Sequence, residues 1–260
     1  MGVFSGDLPR CGRMTSFRLH AHQRGQAAVE AALTMPLAVF LVLGTLQLFM
    51  MLQARLMAEH AAFVAARAGA LSQGRCERML HASLLAVLPT FDRTDRPALV
   101  AEAFGARRMN RFSPARDGQR NGPILWIFRD LSNRDTVPRG RDDAGFDNPD
   151  RRPLSRLEVE LVFWYPLRIP FANWVIAHMT LAAWGLGDFR AMNPLMPAVT
   201  ANWTDEGPPR GVRQAVLDEF RYRTRSGQYV FPIQATAAMR MMTPAMRRRG
   251  FFQQAHCGGP

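Results

Sequence analysis

The stretch RGQAAVEAALTMPLAVFLVLGTLQLFMML, residues 24–52, decides the fold of this chain. It contains one carboxylate, Glu30, and no further charged residue occurs before Arg55. At 1.5 Å per residue, a helix over the 22 residues 31–52 spans roughly 30 Å, the thickness of a hydrocarbon core. A core helix of a soluble domain rarely stays uncharged on every side for so long. The stretch therefore predicts a transmembrane helix with its span at 31–52.

The residues before the span predict its orientation. Four arginines stand against one aspartate, a flank charge of four minus one, or +3: Arg10, Arg13, Arg18 and Arg24 against Asp7. The positive-inside rule then keeps residues 1–25 in the cytoplasm and sends the rest across in a single pass. The apolar run also exceeds the 7–15 residues of a cleaved secretory signal, so an anchor is predicted.

Composition and motifs argue against several functional classes. The net charge is +12, and all 33 basic residues are arginines. They are scattered, with no run denser than 247–249, which indicates a solvated basic surface and no nucleic-acid partner. The sequence has no phosphate-binding loop, nucleophile elbow or zinc-ligand spacing. We therefore predict no catalytic residue, no metal and no cofactor, and a chain that is not an enzyme.

Glu30 allows two interpretations. It is either an interfacial carboxylate that reaches toward the headgroups, or one half of a charge pair. A cut after Gly25 would make Gln26 the first residue and give it a free α-amino group. Glu30 would then be the fifth residue of the chain. Subunits packed side by side would then pair the amine of one with the carboxylate of its neighbour, which offsets the cost of burying either charge.

These residues resemble a known family. Gly25 followed by Glu30 and an apolar helix resembles the class III signal of type IV pilins and pseudopilins. The string RGQAAVEAALTMPL resembles more specifically the TadE/TadG-like family of tight-adherence (Flp) pilus assembly proteins. The stretches LMAEHAAFVAARAGA, residues 56–70, and YVFPIQATAAMRMM, residues 229–242, continue the resemblance. It implies that Gly25 precedes the bond cut by a prepilin peptidase, that Gln26 is the mature N-terminus, and that Glu30 is the assembly carboxylate.

The resemblance also implies a function and partners. It points to a membrane-anchored minor pilin or pseudopilin of a tight-adherence, type IV-like pilus system in the bacterial inner membrane, with a periplasmic C-terminal domain. Its partners would be inner-membrane lipid, other pilus or pseudopilin subunits and the prepilin peptidase. The alternative is a single-pass tether for a periplasmic domain with a ligand-binding or enzymatic role, which convergent titratable residues would favour.

The periodicity beyond the span predicts a pilin-like α+β fold. Apolar residues recur at helical spacing, so one long helix is expected over 26–71, amphipathic after the membrane, with Gly69 and Gly74 as stops: Leu52, Leu56, Ala61, Val64, Ala68 and Leu71. A globular domain follows over 72–260. It should begin with helices at 75–88 and 94–108, the second capped by Thr94 or Asp95.

Two strands are predicted in that domain. RLEVELVFWY, residues 156–165, alternates with one apolar face: Leu157, Val159, Leu161 and Phe163. The stretch 229–242 does the same with Ile233, Ala235, Ala237, Met239 and Met241. Both should belong to one small antiparallel sheet packed on the amphipathic helix. A long polar loop is expected at 130–153.

The apolar stretch FANWVIAHMTLAAWGLG, residues 171–187, allows two interpretations. It is too short and polar for a comfortable second span, so a buried or membrane-surface helix is favoured, with Trp174 and Trp184 suited to an interface.

Three cysteines occur, and Cys11 falls in the leader. The predicted topology places Cys76 and Cys257 together in an oxidising compartment. Three outcomes stay open at this point: a bridge between them, a cross-link to a partner, or two unrelated thiols.

Overall fold

The structure, a computed structural model, describes residues 20–118, 120–131, 156–185, 211–243 and 256–258. The chain divides into two units, at Met1–Val42 and Leu43–Pro260. The predicted α+β class is confirmed: a long apolar helix begins the described part, and a small antiparallel sheet with several shorter helices follows. The predicted loop at 130–153 lies almost wholly outside the described residues.

The long helix α1 runs from His20 to Leu71, so the predicted single helix is confirmed. Within the first unit, every residue from 28 to 42 is exposed. Apart from Glu30 and Thr34, these residues are apolar or proline. A helix apolar all round and uncovered by its own chain requires a non-aqueous environment or protein neighbours.

In the second unit, α1 is amphipathic and built for close packing. Its buried face is made of alanines that are completely inaccessible to solvent: Ala54, Ala58, Ala61, Ala62, Ala65, Ala66 and Ala70. The predicted apolar stripe was wrong apart from Ala61, since its leucines at 52, 56 and 71 are more than half exposed and the small alanines let the domain approach the helix on another side. Gly69 continues this face, because a Cβ there would lie 2.6 Å from Cδ2 of Leu157. Gly69 was expected to stop the helix, and this was wrong. The helix ends at Leu71, and Gly74 turns the chain with φ +70°, a backbone conformation that favours glycine.

Three helices pack beyond this turn. Helix α2 covers Cys76–Val87 and leads into a 3-10 turn at Leu88–Thr90. Helix α3 covers Pro97–Arg107, and α4 is a single turn at Pro114–Asp117. The expected cap of α3 at Thr94 or Asp95 was wrong. Arg96 occupies the cap position without a side-chain bond, because proline at the first helical position sets the start instead.

The sheet has the order β3-β2-β1-β4, and all its pairs are antiparallel. The predicted pairing of the two strands is confirmed: β2, Arg156–Pro166, lies beside β3, Val230–Arg240, with Leu161 opposite Ala235. Strand β1, Leu125–Leu131, and the two-residue β4, His256–Cys257, complete the sheet. Neither was predicted.

Strand β2 is more buried than its alternation suggested. Its first half has one buried and one exposed face, as expected, but Val162 and Trp164 on the second face are fully buried. Helix α6, Gln214–Arg225, provides the cover, since the Arg223 guanidinium lies 4.6 Å from the centre of the Trp164 ring.

Helix α5, Ala172–Ala183, has only 12 residues. That is too short for a transmembrane helix, so the alternative of a second span is not supported. Ala172, Ala177 and Leu181 are buried, and α5 packs against β3 and α6. Of the two tryptophans expected at an interface, Trp184 instead packs against Phe220, 5.5 Å between ring centres, while Trp174 is exposed.

Candidate functional site

The predicted processing and assembly residues all lie on α1, ahead of the long apolar stretch. Gly25 and Gln26 have helical backbone. Glu30 is exposed, and its carbonyl oxygen accepts a hydrogen bond from the Thr34 hydroxyl at 2.9 Å. Because that bond uses only the backbone of Glu30, it leaves the role of the carboxylate a prediction.

Sequence analysis missed the residue that joins α1 to the domain. Gln47 lies inside the predicted span, yet its side chain is 0 % exposed. Its Oε1 accepts hydrogen bonds from the backbone N–H groups of Arg168 at 3.1 Å and Ile169 at 2.9 Å. An amide amid apolar residues in a predicted span is the signal that could have found it, since a polar group in such a place needs partners.

The segment 167–171, which we call the 167–171 loop, is held from several sides. The Leu167 N–H donates to the Tyr229 carbonyl at 3.0 Å, and the Leu167 carbonyl accepts from Arg120 at 2.6 Å. The Arg168 guanidinium donates to the Phe91 carbonyl at 2.6 Å. Burial lowers the pKa of Arg120, with Arg168 nearby acting in the same direction and Asp117 opposing. The loop is thus a junction of α1, the sheet and the segment after α2.

The opposite end of the domain is closed by a second group of contacts. The Met242 N–H and the Thr243 hydroxyl both donate to the carbonyl of Ala70, at 3.1 and 3.0 Å. Arg129 donates to the carbonyl of Gly74. Ala70 lies 23 residues beyond Gln47 on one helix, which is about 35 Å. The domain therefore has a near end at Gln47 and a far end at Ala70.

At the far end, the structure joins Cys76 and Cys257 by a disulfide with 5.3 Å between the Cα atoms. Cys76 opens α2, and Cys257 lies in the edge strand β4, where it pairs with Ile127. The bridge ties the edge of the sheet to the helix that follows α1. Gly258, φ +76°, fits closely here, since a Cβ would lie 2.6 Å from the Asn110 amide nitrogen.

Two buried arginines of the described domain, Arg107 and Arg223, are paired with carboxylates within the fold. Arg107, almost fully buried, bonds both Asp92 and Asp117. Burial alone would lower the pKa of Arg107, but the two carboxylates outweigh burial and raise that pKa. Burial alone would raise the pKa of Asp117, but Arg107 and the Ser113 N–H outweigh burial and lower it. Charges neutralised in this way hold elements together and are not poised for proton transfer.

A cavity of about 470 Å³ lies near the far end of the domain. Its polar lining includes Asn110 and Glu219. Asn110 is bonded at both ends of its amide to the backbone of Leu125, and Glu219 is paired with Arg223 at 2.6 Å. In the part of the chain that the structure describes, no group of three or more His, Cys, Asp or Glu side chains could hold a metal ion.

Of the described helices, α1 alone is long and apolar enough to cross a membrane. Fold and site together therefore define a protein with a candidate membrane anchor at its N-terminal helix, followed by an α+β domain. Residues 25–67 match the model of the family described as TadE-like protein. This confirms the predicted resemblance over the segment from Gly25 to Arg67 and indicates a protein associated with the tight-adherence pilus. Neither a curated protein nor a solved structure matches the chain.

The disulfide generates a prediction. In membranes from growing cells, Cys76 and Cys257 should resist thiol alkylation until a reductant is added. Cys257→Ser should expose the Cys76 thiol and lower the free energy of unfolding, by at most about 5 kcal/mol from chain entropy for a loop of this length. Thermal denaturation with thiol counting measures both.

Cys11→Ser is the control, and it should leave the stability unchanged. A native chain whose two thiols react fully without reductant, or a dimer band that collapses on reduction, would contradict the intramolecular bridge.

Proposed function

We propose that this chain is a structural or assembly component, a minor pilin or pseudopilin, of a tight-adherence pilus system, and that it is not an enzyme. Residues 1–25 lie in the cytoplasm, α1 crosses the bacterial inner membrane once, and the domain lies in the periplasm. The main observation behind the proposal is that the family match and the exposed apolar part of α1 begin at nearly the same place. The TadE-like match begins at Gly25, and the uniformly exposed apolar part of α1 follows directly after it.

The exposed surface of α1 supports a role in lateral packing. Large apolar side chains cover it along its length, both in the first unit and on the solvent side of the second: Leu33, Leu37, Leu41, Leu48, Phe49, Leu52, Leu56 and Phe63. In the membrane, such a surface faces lipid or the equivalent helices of other pilus subunits. Pilus subunits and inner-membrane lipid are therefore the proposed partners.

A rival role as a tethered enzyme or ligand-binding domain has less support. Glu219 at the cavity is paired with Arg223, and the buried Arg107 is paired with Asp92 and Asp117. A catalytic site would need groups free to bind substrate or move a proton. No second function is therefore proposed.

Processing by a prepilin peptidase is the first expected outcome. The intact mass of the membrane-extracted chain, from cells with an active peptidase, should correspond to loss of residues 1–25. Gly25→Val should block this loss because a branched side chain hinders the peptidase at the scissile bond. Gly44→Val, farther along the same helix with open space around it, should be processed normally. Recovery of the full-length chain from such cells would contradict cleavage but not anchoring.

Assembly through Glu30 is the second expected outcome. Glu30→Gln removes the charge and keeps the shape, so membrane insertion and disulfide formation should persist. Two charges 4 Å apart at an effective dielectric constant of 20 attract by about 4 kcal/mol. Losing that pairing should decrease co-isolation with other pilus components by roughly tenfold or more.

Glu59→Gln is the matched control, because Glu59 is an exposed carboxylate on the same helix that pairs with Arg55 at 2.9 Å. It should assemble normally. Normal assembly of the Glu30→Gln chain would refute the pairing of the amine with the carboxylate.

A further inference from the structure

Helix α5 carries an exposed apolar face beside the near end of the domain. We call the two exposed rings at its start, Phe171 and Trp174, the α5 face; they are 77 % and 52 % exposed. Phe171 directly precedes α5, and Trp174 lies in its first turn. Farther along the helix, Ala177 and Leu181 are buried in the domain. Large exposed apolar groups close together mark a surface that another phase or molecule covers.

The position of this face along α1 is fixed by Gln47. The buried Gln47 amide binds the N–H groups of Arg168 and Ile169, and Phe171 follows two residues later. Gln47 lies five residues before Leu52, the last residue of the predicted span, which is about 8 Å along the helix. The 167–171 loop, bonded to Gln47, therefore lies within about 8 Å of the end of the predicted span, at the boundary of the acyl chains.

The chemistry around the face also suits a bilayer surface. Residues 169–185 contain no acidic side chain, so nothing there repels anionic headgroups. Arg168 is exposed and directly precedes this segment. Tryptophan is favoured where a membrane meets water, because its ring is amphipathic. Phe171 has φ +62°, a left-handed conformation that is rare for a bulky residue, and it directs the chain from the loop into α5.

We propose that the 167–171 loop and the start of α5 are seated in the headgroup region of the bilayer, with Phe171 and Trp174 reaching the boundary of the acyl chains. The occupant of the α5 face is thus lipid. This inference rests on the proposed membrane anchor. It gives the domain a second attachment to the membrane surface beside α1, so that the domain cannot swing freely about the helix. The far end, at Ala70 and the disulfide, is then held away from the bilayer.

Spin labelling of the full chain tests this. In a Cys11→Ser background, in which the disulfide leaves no other free thiol, nitroxide labels are placed by Phe171→Cys, Met242→Cys and Leu41→Cys. The protein is reconstituted into vesicles of phosphatidylcholine and phosphatidylglycerol. Collision rates with oxygen, which partitions into lipid, and with a water-soluble nickel chelate are then measured.

Met242 is the matched control, because it is also a large exposed apolar side chain, 61 % exposed, but is bonded to Ala70 about 35 Å beyond Gln47. The oxygen-to-nickel ratio at residue 171 should exceed that at residue 242 several-fold and approach that at residue 41.

A ratio at 171 equal to that at 242, with residue 41 in lipid, overturns the inference and leaves the anchor intact. A label at 41 that meets the nickel chelate freely overturns the anchor itself. A label at 171 shielded from both reagents means that protein covers the face and also overturns the inference.

Tryptophan fluorescence gives a second measurement that needs no label. Lipids brominated near the headgroup should quench part of the emission of the wild-type chain. Trp174→Phe should remove most of that quenchable part, whereas Trp184→Phe should retain it, because Trp184 packs against Phe220 and Phe231. Equal quenching in the wild-type chain and Trp174→Phe would contradict the seating of Trp174 in the membrane.

Discussion

The close approach of α1 to the rest of the domain is the constraint on which the structure depends. Seven completely buried alanines and Gly69 form the contact face of the helix, and the nearest side chains from the sheet and from α2 leave no room for a larger residue at Gly69. Interiors are packed to crystal density, so extra methylenes there force side chains or backbone to shift. The same helix carries large exposed side chains at 28–42, where its own chain does not cover it. One helix thus has a first part that is exposed all round and a second part whose alanine face is buried in the domain.

Polar contacts fix the two ends of this arrangement. The Gln47 amide binds the 167–171 loop at one end, and the Ala70 carbonyl accepts bonds from the residues after β3 at the other. The disulfide adds the edge strand at the far end. Buried arginines with acidic partners secure the periphery of the core. Such contacts determine register and orientation, while the alanine face supplies the packing.

Much of the fold could be predicted because it is periodic. The long helix, the pairing of β2 with β3 and the helix at 75–88 all follow from apolar spacing. Strand β1 was missed because its apolar residues do not alternate and both its neighbours in the sheet are distant in sequence. The burial of Trp164 was missed because it depends on the Arg223 side chain of α6. Gln47 was missed because its partners lie about 120 residues away and are backbone groups.

The central claim is that α1 crosses the membrane and places the domain outside the cytoplasm. The most direct test is a pair of C-terminal fusions to the full chain, one to alkaline phosphatase, which is active only outside the cytoplasm, and one to a reporter active only inside. We expect an active phosphatase and a silent cytoplasmic reporter. An inactive phosphatase together with an active cytoplasmic reporter would contradict it.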